Sequence, residues 1–218
     1  TIALEISPTN LEKVIFISTD KSCNPVSVYG MSKALGERIL AEASIKCKTK
    51  TQFICARFGN LLNSTGSLIH KFIEIGSSEN NKEFQVTNEQ MTRFFMTVEQ
   101  SLDLIKTIIH HGQSGEIWVP MISAFRIIDI AKFFSKKFNK PIEITGLRAG
   151  EKIHELLVND VETSRTQKRL INDEQFYVIK SCYHNYSYQD IIGAYSSHIT
   201  SDFKQLETVI TKCLPNLN

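Results

Sequence analysis

Two short apolar runs, Lys13–Ser18 and Gln52–Phe58, flank a stretch in which apolar residues recur at Val28, Met31, Leu35, Ile39 and Ala43. Unbroken β-branched runs of this length mark strands buried on both faces. The intervening spacing has the period of a helix, and Asn24-Pro25 breaks the chain where such a helix would open, with Pro25 near its first position. A further helix follows through Ile75, after a loop at Asn60–Gly66. Strand, helix, strand, helix predicts right-handed crossovers and a parallel sheet. The chain has 218 residues, 42% of them hydrophobic, enough to bury a sizeable core in one or two domains.

The later half reads as a smaller mixed α/β region. Phe84–Val86 and Glu116–Val119 suit strands, and Thr97–Gln100 has the pattern of a capping box opening a helix to about His110. Ile127–Phe138 suits an amphipathic helix, Ile142–Thr145 a strand, Glu151–Val158 a short helix and Thr163–Asp173 an exposed linker. Trp118 belongs to the core, and His110-His111 suits the negative end of a helix better than a metal site. With 25 basic and 23 acidic side chains, charge gives no reason to expect a nucleic-acid or membrane-surface partner. No apolar run approaches the ~20 residues that span a bilayer. Five scattered cysteines without a Cys-x-x-Cys pair read as reduced structural thiols of a cytoplasmic protein, with no metal expected.

Chemistry concentrates where the first strand ends. Ser18-Thr19-Asp20-Lys21 lies at its carboxyl end, where open α/β sheets bind ligands. Polar groups are costly there unless they are used. Eight residues after Lys21 comes Tyr29, and four later Lys33, on the same helical face and about 6 Å apart at Cβ. An ammonium so placed lowers a phenol toward a useful general base. Taken alone, that pair reads more readily as a chance surface contact; the preceding hydroxyl, carboxylate and amine make the set specific. Arg57, Arg93 and Arg148 suit diphosphate or uracil-ribose contacts, because a planar guanidinium grips phosphate bidentately.

With these residues in hand, the sequence resembles the extended short-chain dehydrogenase/reductases. Within them it is most similar to the soluble, inverting UDP-N-acetylglucosamine 4,6-dehydratases of polysaccharide and pseudaminic-acid-type sugar biosynthesis. The resemblance rests on Ser18-Thr-Asp-Lys-Ser-Cys-Asn-Pro25, Tyr29-Gly-Met-Ser-Lys33, Ala56-Arg-Phe-Gly-Asn60, Gly66-Ser67, Met91-Thr-Arg-Phe94 and Gly146–Glu155, from about residue 10 to 160. Lys21 stands where glucose-nucleotide dehydratases carry Glu, and Tyr29 where membrane-bound retaining relatives often carry Met. Departures are Thr65 for a usual arginine, His70 for a proline and Ala149 for a proline.

The resemblance implies an α/β fold, the C-terminal part of a Rossmann-type parallel sheet with a smaller mixed α/β substrate domain. It would divide the chain into 1–75 (second half of an NADP-binding domain), 76–160 (mainly sugar-nucleotide binding, interleaved with the first) and 161–218 (a poorly matched tail). The Gly-rich turn that seats a cofactor pyrophosphate has no counterpart here, because Gly112-Gln-Ser-Gly115 precedes a strand. An N-terminally truncated fragment, inactive alone and homo-oligomeric when complete, is the expectation.

The implied catalytic residues are Thr19, Asp20, Lys21, Tyr29 and Lys33. Ser18, Tyr29, Lys33 and Leu61 would contact NADP, or alternatively NAD, and Thr19, Asn60, Ser67, Arg93 and Arg148 the UDP-sugar. The implied reaction oxidises C4, with Tyr29 taking the 4-hydroxyl proton and NADP the hydride. Lys21 then removes the C5 proton while Asp20 protonates the departing 6-hydroxyl. The hydride returns to C6, and C5 is reprotonated from the opposite face. Another sugar-nucleotide epimerase or dehydratase, or a non-catalytic fragment, are the alternatives.

Overall fold

The computed structural model describes residues 11–62, 64, 66–80, 82–183, 193–199 and 203–214. In chain order the elements are β1 (Lys13–Thr19), a one-turn 3-10 helix (Asp20–Ser22), α1 (Val28–Lys46), β2 (Gln52–Phe58), β3 (Asn60–Leu61), α2 (Leu68–Ser77) and β4 (Phe84–Val86). There follow β5 (Thr92–Met96), α3 (Val98–His111), β6 (Ile117–Pro120), β7 (Ala124–Arg126), α4 (Ile127–Phe138), β8 (Ile142–Ile144) and β9 (Leu156–Val158). The chain closes with α5 (Asp160–Thr163), β10 (Thr166–Ile171), β11 (Glu174–Ile179), β12 (Tyr195–Ser196) and α6 (Phe203–Cys213). It divides into two units. The first takes the described residues of Thr1–Phe58, Glu99–Met121 and Leu156–Tyr195, and the second those of Gly59–Val98, Ile122–Glu155 and Ser196–Asn218.

The first unit is built on a five-stranded sheet of order β1-β2-β6-β11-β10. β1, β2 and β6 are parallel, with Lys13 opposite Gln52 and Thr19 opposite Phe58, whereas β11 and β10 run antiparallel. The sheet buries Ile54, Ala56, Trp118, Phe176 and Val178 against Leu104 and Ile108 of α3. The Lys13 ammonium closes the end of α3 by donating to the carbonyls of Ile109 (2.6 Å) and Gly112 (3.1 Å), the cation that a helix C-terminus favours.

Three local expectations are corrected here. Pro25 does not open α1: the helix begins at Val28, with Ser27 capping it through the amide of Gly30 at 3.1 Å. The apolar stripe of α1 faces outward at Val28, Met31, Leu35 and Ile39, and the buried positions are Gly30, Glu37 and Ala43. Residues 163–173 are not a linker. They enter a β10–β11 hairpin whose turn residues, Asn172 and Asp173, both have positive φ (50° and 65°), the backbone that two-residue hairpins require. Glu151–Val158 likewise contains strand β9 rather than a helix.

The second unit holds a three-stranded sheet of order β3-β5-β7, the parallel pair β4-β8, and helices α2 and α4. Its core is aromatic: Phe72 meets Phe84 and Phe134 edge-on at 5.3 and 5.8 Å between ring centres, a preferred geometry for aromatic pairs. Asn139, at φ 52°, terminates α4 in the left-handed conformation.

Candidate active site

In the first unit, β1 carries polar side chains into the interior at its carboxyl end. Ser18, Thr19, Asp20 and Ser22 are all buried, and Asp20 is 0% exposed. The Thr19 hydroxyl donates to Asp20 Oδ1 at 2.9 Å and accepts from the Lys21 amide at 3.4 Å. The Lys21 ammonium reaches the same carboxylate oxygen at 3.0 Å and stays one-third exposed. Asp20 Oδ2 has no hydrogen-bond partner among the described residues. An acceptor left bare in the interior costs about 1–3 kcal/mol, more when charged, so this oxygen is the feature of the turn that folding alone does not account for.

Helix α1 sets its first turns directly on that segment. A Cβ at Gly30 would lie 2.3 Å from the Lys21 carbonyl oxygen and 3.2 Å from Pro25 Cβ. Only glycine permits the approach. Tyr29 is then 54% exposed, and the Lys33 ammonium donates to the Ile17 carbonyl at 2.9 Å, lying 4.9 Å from the Phe16 ring centre and 5.9 Å from that of Tyr29. All five residues expected to be catalytic thus belong to one β1–turn–α1 segment.

Arg57 corrects the sequence reading. It is 2% exposed and is held on two sides by carboxylates, so it is not available to a phosphate. Nε and one terminal nitrogen meet Glu37 at 2.9 and 2.7 Å, while the terminal nitrogens meet Glu162 at 2.8 and 2.7 Å and the Leu157 carbonyl at 2.9 Å. Burial would depress the guanidinium's pKa, but Glu37 and Glu162 outweigh it and hold the charge firmly on. For Glu162, burial raises the carboxyl, yet Arg57 brings it below its ordinary value. Removing one partner from such a buried set costs about 3–5 kcal/mol, because a charge is left unpaired.

Apart from Thr19, the substrate-binding candidates lie in the second unit. Asn60, Leu61, Ser67, Arg93 and Arg148 all line one cavity of about 490 Å3, together with Lys71, Met91, Phe95 and Glu151. Asn60 donates to the Phe94 carbonyl at 2.9 Å, and Ser67 caps α2 through the His70 amide at 3.3 Å. Arg93 donates to the carbonyls of Thr92 (2.7 Å) and Ile153 (3.1 Å), with Glu155 3.9 Å away. The Arg148 amide donates to Glu151 at 3.3 Å. Thr65 lies outside the described residues. Among the described residues no group of three or more His, Cys, Asp or Glu could hold a metal ion.

Residues 2–179 match the family model described as "polysaccharide biosynthesis protein". The chain belongs to this family. Among its relatives is a UDP-N-acetylglucosamine 4,6-dehydratase (inverting) of Campylobacter jejuni, 33% identical over 157 residues, which cover 72% of this chain and 46% of that protein. Another is a UDP-glucose 4-epimerase of Rickettsia bellii, 37% identical over 158 residues, 71% and 46% of the two chains. The chain therefore spans about half the length of the relatives it matches. Among solved structures, Pen from Bacillus thuringiensis superposes with a TM-score of 0.81 at 26% identity, over 95% of this chain and 63% of that one. A dTDP-glucose 4,6-dehydratase from Streptomyces venezuelae, solved with NAD and TYD bound, shares the fold at a TM-score of 0.58 and 14% identity, over 69% and 52%. The α/β fold is thus that of Rossmann-type dehydratases.

For this member of the family, sequence reading missed Glu37 and Glu162. Glu37 follows Lys33 by four residues, which suggests an exposed helical ion pair. The helix instead turns Glu37 inward, to a partner 20 residues away. Lys71, which lines the cavity, was missed as well: lying between His70 and Glu74 in α2, it carries no pattern that marks it.

Proposed function

We propose that this chain supplies the catalytic segment of a UDP-N-acetylglucosamine 4,6-dehydratase that inverts C5, yielding a UDP-2-acetamido-2,6-dideoxy-4-keto-hexose. The observation that carries the reading is the buried Asp20 carboxylate, with one oxygen unpartnered among the described residues and Lys21 on the other, on the same short segment as Tyr29 and Lys33. Dehydration across C5 and C6 needs a base and an acid beside one carbon–carbon bond, and adjacent Lys21 and Asp20 provide that pair.

Tyr29 accepts the 4-hydroxyl proton, with the Lys33 ammonium 5.9 Å from its ring centre. Thr19 orients the sugar near O4. Once C4 is a carbonyl, C5–H is acidic. With one proton passed from the Lys21 ammonium to Asp20 across their 3.0 Å contact, the Lys21 amine takes the C5 proton. The Asp20 carboxyl protonates the 6-oxygen, which leaves as water, through Oδ2, the atom with no hydrogen-bond partner among the described residues. The 490 Å3 cavity, with Arg93 and Arg148, suits the nucleotide diphosphate, and Asn60 and Ser67 the remainder of the substrate.

The residues present fit the nicotinamide and ribose end of a nicotinamide dinucleotide, NADP or NAD. Tyr29 is exposed and one of the three Lys33 N–H donors is spent on Ile17, leaving two for hydroxyls. Leu61 adds an apolar contact, while the Ser18 hydroxyl is turned to Glu37 and leaves only its backbone for the task. When bound, that group supplies a hydride acceptor at C4 and a donor at C6.

A second reading, a sugar-nucleotide 4-epimerase, is favoured by the Rickettsia relatives of similar identity. Both readings need Tyr29; elimination alone needs Asp20 and Lys21. In the protein expressed from its complete gene, Tyr29→Phe is expected to lower turnover of UDP-N-acetylglucosamine by about 10²-fold or more with cofactor affinity unchanged. Near-normal turnover by that variant would remove the reading.

A further inference from the structure

The turn bearing Asp20 and Lys21 is fastened at both ends to one atom. Ser18 Oγ donates to Glu37 Oε1 at 2.6 Å, and Ser22 Oγ lies 2.7 Å from the same oxygen and 2.6 Å from the Thr19 carbonyl. Ser18 and Ser22 flank Thr19-Asp20-Lys21, so a single carboxylate oxygen closes a loop around the three residues assigned to the chemistry. That oxygen also accepts from Arg57 Nε at 2.9 Å, and the other oxygen of Glu37 from an Arg57 terminal nitrogen at 2.7 Å. Arg57 belongs to β2 and is itself braced by Glu162 and the Leu157 carbonyl. Orientation is thus passed from the sheet to the guanidinium, from the guanidinium to Glu37, and from Glu37 to the two hydroxyls.

We infer that Glu37 is a positioning residue for the elimination, holding the Asp20–Lys21 acid–base pair in register through Ser18 and Ser22, an assignment that rests on the dehydratase reading above. Packing alone does not ask for a carboxylate here. A buried charge is tolerated because Arg57 pairs with it, yet an apolar side chain and an apolar partner would serve stability as well or better. What an apolar pair lacks is an acceptor able to take two hydroxyls at once. Second-layer hydrogen bonds of this kind keep reacting groups within the fraction of an ångström that catalysis requires.

Two substitutions test the inference in the protein expressed from its complete gene. Ser22→Ala deletes one fastening and leaves the Glu37–Arg57 pair intact, so no buried charge is stranded. Glu37→Gln keeps an acceptor for the hydroxyls but turns an N–H toward Arg57. Both are expected to lower kcat for UDP-N-acetylglucosamine about tenfold or more with KM within about twofold, since neither residue touches substrate. Amide hydrogen exchange in Ser22→Ala is expected to accelerate about tenfold at Lys21 and Cys23, whose amides bond within the turn, with β2 amides unchanged. Unchanged exchange at those amides overturns the inference. So does a Ser22→Ala enzyme of normal kcat, or one whose KM and kcat worsen together. If the wild-type protein does not turn over the substrate, the dehydratase reading fails separately, and exchange alone decides whether Glu37 holds the turn.

Discussion

Asp20 and Arg57 are both buried charged side chains, and they differ in what surrounds them. Every face of Arg57 meets a carboxylate or a carbonyl, whereas Asp20 keeps one oxygen bare among the described residues. The first arrangement satisfies a fold; the second leaves an atom for the proton transfer proposed above. His154 shows a third case. Its Nδ1 bonds the Thr92 hydroxyl at 2.8 Å, and its Nε2 lies 3.4 Å from His198, with Arg93 also near. Burial, then His198 and Arg93, lower its pKa from the usual 6.5. The native state therefore takes up this proton less readily than the unfolded chain. The stability linked to neutral His154 is full above about 6.5 and is lost as pH falls through and below that value. The melting temperature is expected to be lower at a pH of about 5.5 than at about 7.5, on either side of that value, with a smaller difference in His154→Gln. An undiminished difference in the variant would assign the pH dependence to other groups.

At the scale of elements, the β1–turn–α1 segment is short, and that is why its chemistry is legible from sequence. Thr19, Asp20, Lys21, Tyr29 and Lys33 are near neighbours in the chain, and strand and helix geometry alone bring them together. The clamp behind them is not legible, since Glu37 and Glu162 meet Arg57 from 20 and 105 residues away. The β10–β11 hairpin was hidden for another reason. Lys168 and Arg169 make β10 look like solvated linker, but it is the edge strand of the sheet, where charge is tolerated. Gly30 links these two levels. Its Cβ would meet backbone, the Lys21 carbonyl, rather than a yielding side-chain tip, so Gly30→Ala must move α1 or the turn. A loss of about 1–3 kcal/mol in stability and a fall in kcat are expected, measured by denaturant melts and steady-state kinetics. A Gly30→Ala variant of native stability and activity would show that the close approach is not needed.

Across the whole molecule, the expected residues divide between the two units. The catalytic set belongs to the unit built on the five-stranded sheet, and the substrate set, apart from Thr19, lines the cavity of the second unit. Spacing along the chain grouped the catalytic set, whereas the substrate set, spread from Asn60 to Arg148, came from the family resemblance and not from spacing. The reading failed at Arg57, because a planar guanidinium suits a phosphate until the two distant carboxylates that hold it are seen. The central claim is that Lys21 and Asp20 carry out an elimination that inverts C5, and turnover of UDP-N-acetylglucosamine in D2O tests it most directly. With Lys21 as base on one face and reprotonation from the other, NMR of the product should show one deuterium at C5 with inverted configuration. A 4-keto product that retains its original C5 configuration, or a 4-epimer with no loss of water, would contradict the account.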